Sequence, residues 1–352
     1  RALRRTGMSS PRGGNISKIA PASGEKMIRL RIQLSKETTL RTRSSPYPSP
    51  RPSEHEPQEH HDSRDHVDRP AQARALCAYA RQHGILIIPQ IATMGHMEHF
   101  LHGPYAEMRE DPKNSFNLCP THPRTRPFLA GLIGDVAAAF QSPYIHVGYD
   151  ESHSGFCPRC QKHGTPQDLL ADHLNWLNQE VKKHGARTMI YGDKFLSRED
   201  FPRADAVNGG TSTEAFASLQ KVARDILITD WHYTAPYAGT VRHLVRQGFE
   251  VHIASATNLY WHDSIPLNRA HHWIAETMDR AIQDGATGGF NTNWEYYRGQ
   301  FLDNFWYFEA VAAERLWTDQ PHDFVTWGRR FAVRFWDVDE DYYTELAGLA
   351  ET

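Results

Sequence analysis

Two adjacent carboxylates, Asp150 and Glu151, follow the apolar run YIHVG (144–148), with Tyr149 between the run and the pair. Paired carboxylates can divide the acid and base work of a hydrolysis when their surroundings separate their pKa values. Successive residues of a strand face opposite sides, so both can reach one site only if the chain bends after Gly148. A helix cap is the alternative, because Asp and Glu after a strand commonly cap the next helix. Spacing alone leaves both interpretations open.

A second candidate group follows another apolar run, in the segment PQIATMGH (89–96). Its last residue, His96, has a side chain that can exchange protons near neutral pH or hydrogen-bond a polar substrate. A loop histidine that packs locally explains the same residue equally well. His96 is therefore a candidate acid–base partner for the carboxylate pair.

Aromatic residues follow three further apolar runs, with carboxylates near them in the sequence. Sugar rings present C–H faces that stack on aromatic planes, so aromatics gathered at one rim would form a carbohydrate pocket. Individually, each aromatic also fits a core position and each acid a solvated loop. The candidates are Trp231, Tyr233, Tyr260, Trp261, Trp294, Asp193, Asp263 and Glu295.

Cys157 and Cys160 form a Cys-x2-Cys motif, with His153 and His163 on either side. This spacing is typical of half a zinc site, but a second such pair is missing and Cys119 is the other thiol nearby. Reduced loop cysteines are the simpler interpretation, so no cofactor is expected. Four cysteines are too few for a disulfide scaffold and favour a reduced, cytoplasmic protein.

The composition changes near residue 70. Residues 1–69 are rich in Arg, Ser, Pro and His, which predicts a largely disordered or atypical segment, with one strand-like piece at 27–34. Residues 70–352 should form the folded domain. The net charge of −3 gives no reason to expect a nucleic acid or an anionic membrane as partner, and no apolar run approaches the ~20 residues of a membrane span.

Short apolar runs alternate with amphipathic helical stretches from residue 70 onward. This alternation predicts a parallel α/β sheet covered on both faces, either doubly wound or a (β/α)8 barrel. No glycine-rich phosphate loop follows the first run, and polar residues gather at the carboxyl ends of the strands, which favours the barrel. The predicted strands are 85–91, 144–148, 187–193, 225–231, 249–256 and 288–294, with 27–34 as a doubtful seventh.

At these motifs the sequence resembles glycoside hydrolase family 20, the β-N-acetylhexosaminidases, and especially their intracellular hexosaminidase D-like branch. The resemblance covers about residues 70–318. It implies a (β/α)8 barrel, here incomplete or irregular at its N-terminal strands because residues 1–69 lack segments like the family's first two. The matching motifs are HVGYDE (146–151), PQIATMGH (89–96), NLCP (117–120), TNWEYYRGQF (292–301) and AAERLW (312–317).

The resemblance also implies a mechanism without an enzyme nucleophile, in which the 2-acetamido group of the substrate attacks C1. Glu151 would be the general acid and base, and Asp150 would orient the acetamido group. Tyr260 would donate to the acetamido oxygen, and His96 would tune Glu151. Trp231 and Trp294 would wall the pocket.

The expected partners are glycans or glycoconjugates that carry terminal N-acetylhexosamine. Two other functions stay open. A degenerate, non-catalytic carbohydrate-binding member is one, because of the unusual N-terminal segment. A zinc-dependent hydrolase that uses Cys157, Cys160 and nearby histidines is the other.

Overall fold

The chain forms a curled sheet of seven parallel strands, part of a (β/α)8 barrel. The computed structural model describes residues 29–33, 69–153, 155–233, 237–257, 267–293, 306–318 and 323–338. The strand order is β1-β2-β5-β6-β7-β8-β9, so the strands stand side by side in chain order. Among the described strands, β1 and β9 form the two edges of this sheet.

All seven predicted strands are present in this sheet, and the doubtful one at 27–34 pairs in parallel with β2. The strands are β1 Arg29–Gln33, β2 Leu86–Gln90, β5 Tyr144–His146, β6 Arg187–Tyr191, β7 Leu227–Trp231, β8 Glu250–Ala256 and β9 Gly288–Thr292. Between β2 and β5 the chain forms an antiparallel hairpin that the sequence analysis missed, made of β3 Arg109–Asp111 and β4 Asn114–Leu118.

Helices connect the parallel strands and pack on the sheet. They are α1 Arg69–Gln82, α2 Thr125–Phe140, α3 Pro166–Lys183, α4 Ser212–Lys221, α5 Thr240–Arg246, α6 Leu267–Gln283, α7 Trp306–Trp317 and α8 Phe324–Phe331. They confirm the predicted alternation of strands with helical stretches. Within the described residues, no helix is both long enough and apolar enough to span a membrane.

The two faces of the sheet carry different cores, because successive strand residues point to opposite sides. Ile190 and Ile228 belong to the large cluster that the helices cover. Their neighbours Met189 and Leu227 join Ile88 in a small separate cluster on the other face. Parallel strands that are buried on both faces have continuous apolar sequences, and these sequences are why the strands could be predicted.

The description of residues 1–69 as a separate, largely disordered segment, with the domain at 70–352, remains a prediction. Within that segment the structure describes Arg69, where α1 begins, and the backbone of β1, whose five residues are in register with the whole of β2. This pairing adds β1 to the sheet as the edge strand next to β2.

Candidate active site

The chain turns sharply where β5 ends, and this turn brings Asp150 and Glu151 to one place. Gly148, Tyr149 and Glu151 all have positive φ angles, of 69°, 85° and 52°. Such angles are uncommon for residues with a side chain and cluster at functional sites, where the surroundings hold them in place. The bend that the sequence required after Gly148 is therefore present.

Neither carboxylate caps a helix. The helix that follows, α3, begins at Pro166, and its N-cap is Thr165, whose hydroxyl accepts a hydrogen bond from the Asp168 backbone N–H. The side chain of Asp168 returns the bond, which completes a capping box. The helix-cap interpretation of Asp150 and Glu151 was therefore wrong.

His96 bridges the two carboxylates. Its Nε2 lies 3.4 Å from Asp150 Oδ2 and 3.3 Å from Glu151 Oε2. Burial lowers the pKa of His96, but the hydrogen bonds and negative charges of Asp150 and Glu151 outweigh it and raise the pKa to about 10. The imidazolium is thus the favoured form at neutral pH in this conformation, and its positive charge lets two carboxylates lie close together.

The loop after β2, which carries His96, is joined to the β5 turn. The Thr93 hydroxyl donates to the carbonyl of Val147 at 2.7 Å. A Cβ atom at Gly95 would come within 2.5 Å of the carbonyl oxygen of Asp150, closer than real Cβ contacts allow. Only glycine therefore fits at residue 95, and the contact fixes how closely His96 approaches the pair.

Asp193 is fully buried and lies two residues after the end of β6, in contact with the turn that carries the pair. Its Oδ2 accepts hydrogen bonds of 2.9 Å from the Glu151 backbone N–H and from the Asn208 amide. Burial, together with the negative charge of Asp150, raises the pKa of Asp193 to about 6. Its role as a sugar-binding residue remains a prediction, and the contact with Glu151 shows that it positions the turn.

Lys194 is a buried cation beside this group that sequence reasoning missed. Its ammonium donates to the carbonyl of Asn208 at 2.5 Å. Burial lowers the pKa of Lys194, while the charges of Asp193 and Glu151 oppose that change. No pattern in the sequence marks Lys194 or Asn208, because their importance comes from the loop that folds back over β6. We call His96, Asp150, Glu151 and Asp193 the carboxylate site.

Trp231 and Tyr233 lie together at the end of β7, with ring centroids 4.8 Å apart. The indole N–H of Trp231 is buried and has no hydrogen-bond partner among the described residues. The backbone N–H of Tyr233 donates to Asp205 at 2.6 Å. The other predicted pocket residues lie outside the described residues: Tyr260, Trp261, Asp263, Trp294 and Glu295.

Residues 21–320 match the model of the glycosyl hydrolase family 20 catalytic domain. The chain belongs to this family. A β-hexosaminidase of Vibrio furnissii is 28% identical over 191 residues, a match that covers 51% of this chain and 28% of that relative. The chain therefore spans well under half the length of the curated relative.

Solved structures of family 20 share the fold. The chitobiase of Flavobacterium johnsoniae superimposes with a TM-score of 0.55 at 20% identity, over 80% of this chain and 42% of the chitobiase chain. The exo-β-N-acetylglucosaminidase of Vibrio harveyi, solved with N-acetylglucosamine, gives 0.55 at 19% identity, over 80% and 45%. These likenesses establish the curled barrel architecture of this family 20 chain.

Three thiols lie close together, two of them in the loop that continues from Glu151 and the third after β4. Cys119 Sγ is 3.6 Å from Cys157 Sγ and 3.5 Å from Cys160 Sγ, and Cys160 Sγ is 3.2 Å from Glu110 Oε2. We call these four residues the cysteine cluster. The histidines at 153 and 163, considered as zinc ligands from the sequence, do not belong to it; Glu110 and Cys119 do.

Proposed function

We propose that this chain is an exo-acting, retaining β-N-acetylhexosaminidase that uses substrate-assisted catalysis. The observation that carries the proposal is the pair Asp150 and Glu151, held at one turn by a single histidine nitrogen. The family model over most of the chain and relatives named β-hexosaminidase support it.

Retention is favoured by the closeness of the pair. An inverting enzyme keeps its two carboxyl groups about 6.5–9.5 Å apart to hold a water molecule between them. Here oxygens of Asp150 and Glu151 both lie within 3.4 Å of His96 Nε2, so these two oxygens can be no farther apart than about the lower end of that range. Two neighbouring residues on one turn also cannot reach opposite faces of a sugar, so a nucleophile from the substrate fits better than one from the enzyme.

In the proposed reaction, Glu151 takes the proton that it shares with His96 Nε2, 3.3 Å away, and donates it to the glycosidic oxygen while the acetamido oxygen attacks C1. The bond from C1 to the leaving oxygen breaks, and an oxazolinium ion forms. Asp150 accepts a hydrogen bond from the acetamido N–H and stabilises the positive charge. Glu151, now ionised, takes a proton from water as the water attacks C1 and restores the acetamide.

The remaining pocket roles are part of the same proposal. Trp231 and Trp294 would pack against the acetamido group and the sugar ring, and the Tyr260 hydroxyl would donate a hydrogen bond to the acetamido oxygen. Hydroxyl contacts would come from Tyr233, Asp193, Asp263 and Glu295. The indole N–H of Trp231, which has no partner among the described residues, supports a polar ligand at that wall.

We also propose terminal N-acetylhexosamine of glycans or glycoconjugates as the substrate, and the hexosaminidase D-like branch as the subgroup. A cytoplasmic location belongs to this proposal. All four cysteines of the chain are free thiols, which is typical of a reducing compartment.

The test is release of 4-nitrophenol from its N-acetyl-β-glucosaminide and N-acetyl-β-galactosaminide. We expect turnover of at least one substrate, no turnover of the β-glucoside that lacks the acetamide, and a loss of about 10³-fold in kcat/KM for Glu151→Gln. Glu107→Gln, at an exposed ion pair with Arg124, is the matched control. Equal turnover of the β-glucoside, or full activity of Glu151→Gln, contradicts the mechanism.

A carbohydrate-binding member without catalysis is the second candidate. The observation behind it is that the described strands form an open sheet, with β1 and β9 as edges. Binding of N-acetylglucosamine by calorimetry, combined with no release of nitrophenol from either substrate, would favour this function over hydrolysis.

A further inference from the structure

The cysteine cluster joins two segments that are distant in the sequence. Glu110 lies on β3 and Cys119 follows β4, whereas Cys157 and Cys160 lie in the loop between the carboxylate pair and α3. One ligand atom from each of the four lies within 4.8 Å of all the others. Glu110, Cys119 and Cys160 are buried, with exposed fractions of 4%, 0% and 0%.

The spacing of these atoms fits tetrahedral coordination. Zinc–sulfur bonds of about 2.3 Å and zinc–oxygen bonds of about 2.1 Å at tetrahedral angles place sulfurs about 3.8 Å apart and sulfur and oxygen about 3.6 Å apart. The measured separations are 3.6 and 3.5 Å between sulfurs and 3.2 Å between sulfur and oxygen. A disulfide would need about 2 Å, and three thiols cannot all be paired.

The surroundings orient the four groups toward a common centre. Glu110 Oε1 accepts from the backbone N–H groups of Phe156 and Cys157, at 2.9 and 3.1 Å, which leaves Oε2 facing the sulfurs. The backbone N–H of Cys160 donates to Cys157 Sγ at 3.3 Å. Such contacts hold metal ligands in position and are part of a built site.

Two side chains around the cluster moderate its negative charge. The Arg159 guanidinium donates to Cys119 Sγ at 3.5 Å. The hydroxyl of Thr121 lies 3.2 Å from Cys160 Sγ. A divalent cation bound by three thiolates and one carboxylate leaves two negative charges, and the neighbouring guanidinium offsets one of them.

We infer that Glu110, Cys119, Cys157 and Cys160 bind a structural zinc ion. Thiolate sulfur selects zinc over the hard cations magnesium and calcium. Four protein ligands complete the tetrahedron, so no position is left for water or substrate, and the ion serves the fold rather than hydrolysis. It fastens the loop after Glu151 to the β3–β4 hairpin, beside the 2.9 Å bond from the His153 backbone N–H to Asn117.

The metal content of the full chain, purified under reducing conditions and reconstituted with zinc, tests the inference. We expect one zinc per chain by mass spectrometry of the metal, and the same for Cys77→Ser, whose buried thiol lies on α1 outside the cluster. Cys119→Ser and Cys160→Ser should bind zinc at least about 100-fold more weakly. Equal zinc binding by these two variants would overturn the inference.

A second measurement does not depend on variants that fold. Cobalt added to the zinc-free wild-type chain should give a thiolate-to-cobalt charge-transfer band and the strong visible bands of tetrahedral coordination. Glu110→Cys, which offers a fourth thiolate, should retain the metal and intensify the charge-transfer band. Absence of zinc and of these bands in the reduced wild type, or a disulfide among the three thiols in the native chain, would refute the site.

Discussion

The carboxylate pair and two members of the cysteine cluster lie in one segment, between β5 and α3, yet the two sites are built in opposite ways. Asp150 and Glu151 are neighbours in the sequence, and a strained turn after β5 brings them together. The four members of the cysteine cluster come from two separate segments, and a loop and a hairpin bring them together. The carboxylate pair is local, whereas the cysteine cluster depends on tertiary contacts from its first two ligands onward.

This difference shows how each site can fail. The carboxylate site depends on left-handed backbone angles and on close approach of the β2 loop, so small displacements should remove activity while the fold persists. The cysteine cluster depends on contacts between segments. Its loss should first loosen the loop between Glu151 and α3, and catalysis should then fall because Glu151 is held less firmly.

Asp150→Asn should have the largest effect, a loss of about 10³-fold in kcat on the nitrophenyl N-acetyl-β-hexosaminides. The amide keeps the shape of the carboxylate but cannot stabilise the positive charge of the oxazolinium ion. Steady-state kinetics check the result, with Asp135→Asn on the exposed side of α2 as the control. Activity within tenfold of the wild type would remove Asp150 from the proposed mechanism.

Asp193→Asn should change how stability depends on pH. The folded-state pKa of Asp193 is raised from 3.8 to about 6, so the folded state binds the proton more tightly. The resulting stabilisation is fully present below pH 3.8 and is lost as pH rises through 6, a change of about 3 kcal/mol. An asparagine side chain does not titrate in this range, so the variant lacks this pH-dependent contribution to stability.

Urea unfolding at pH 4 and pH 7 measures this effect. The free energy of unfolding of Asp193→Asn, relative to wild type, should rise by about 2 kcal/mol between the two pH values, less than the full change because pH 4 lies above 3.8. A difference that stays constant with pH would show that Asp193 is not the buried titrating group.

Gly95→Ala should lower kcat/KM by about 100-fold, because the added methyl group would collide with the carbonyl of Asp150 and displace the turn. Gly131→Ala is the matched control, since a Cβ atom there meets nothing within 4 Å. That control lies in α2 and should keep full activity. Circular dichroism checks that the fold persists, and equal activity of both variants would argue against a tight turn.

Removal of zinc by a chelator should have the smallest effect on catalysis, about a tenfold loss of kcat/KM, because Glu151 lies six residues before Cys157 in the loop that the ion fastens. The melting temperature should fall at the same time, and both values should return when zinc is restored. If the melting temperature is unchanged after the chelator has removed zinc, the ion has no structural role.

The strands and most helices were predictable because their signals are local. Apolar runs such as 187–193 and 225–231 mark strands that are buried on both faces. The helices α4 and α5, at ten and seven residues, give the weakest helical signals because an apolar pattern repeats over few turns. The β3–β4 hairpin was missed because its strands are short and polar, and it is this hairpin that supplies Glu110.

The sequence by itself determined the parallel sheet and the pairing of Asp150 with Glu151. It also indicated His96 as a candidate acid–base partner of that pair. These features repeat along the chain or stand side by side in it, so a pattern can express them. Tertiary structure alone decided that His96 bridges both carboxylates, that Asp193 holds the Glu151 backbone, and that a glutamate completes the cysteine cluster. Each of these contacts joins different segments, and the distance between segments is set by packing, which no local pattern encodes.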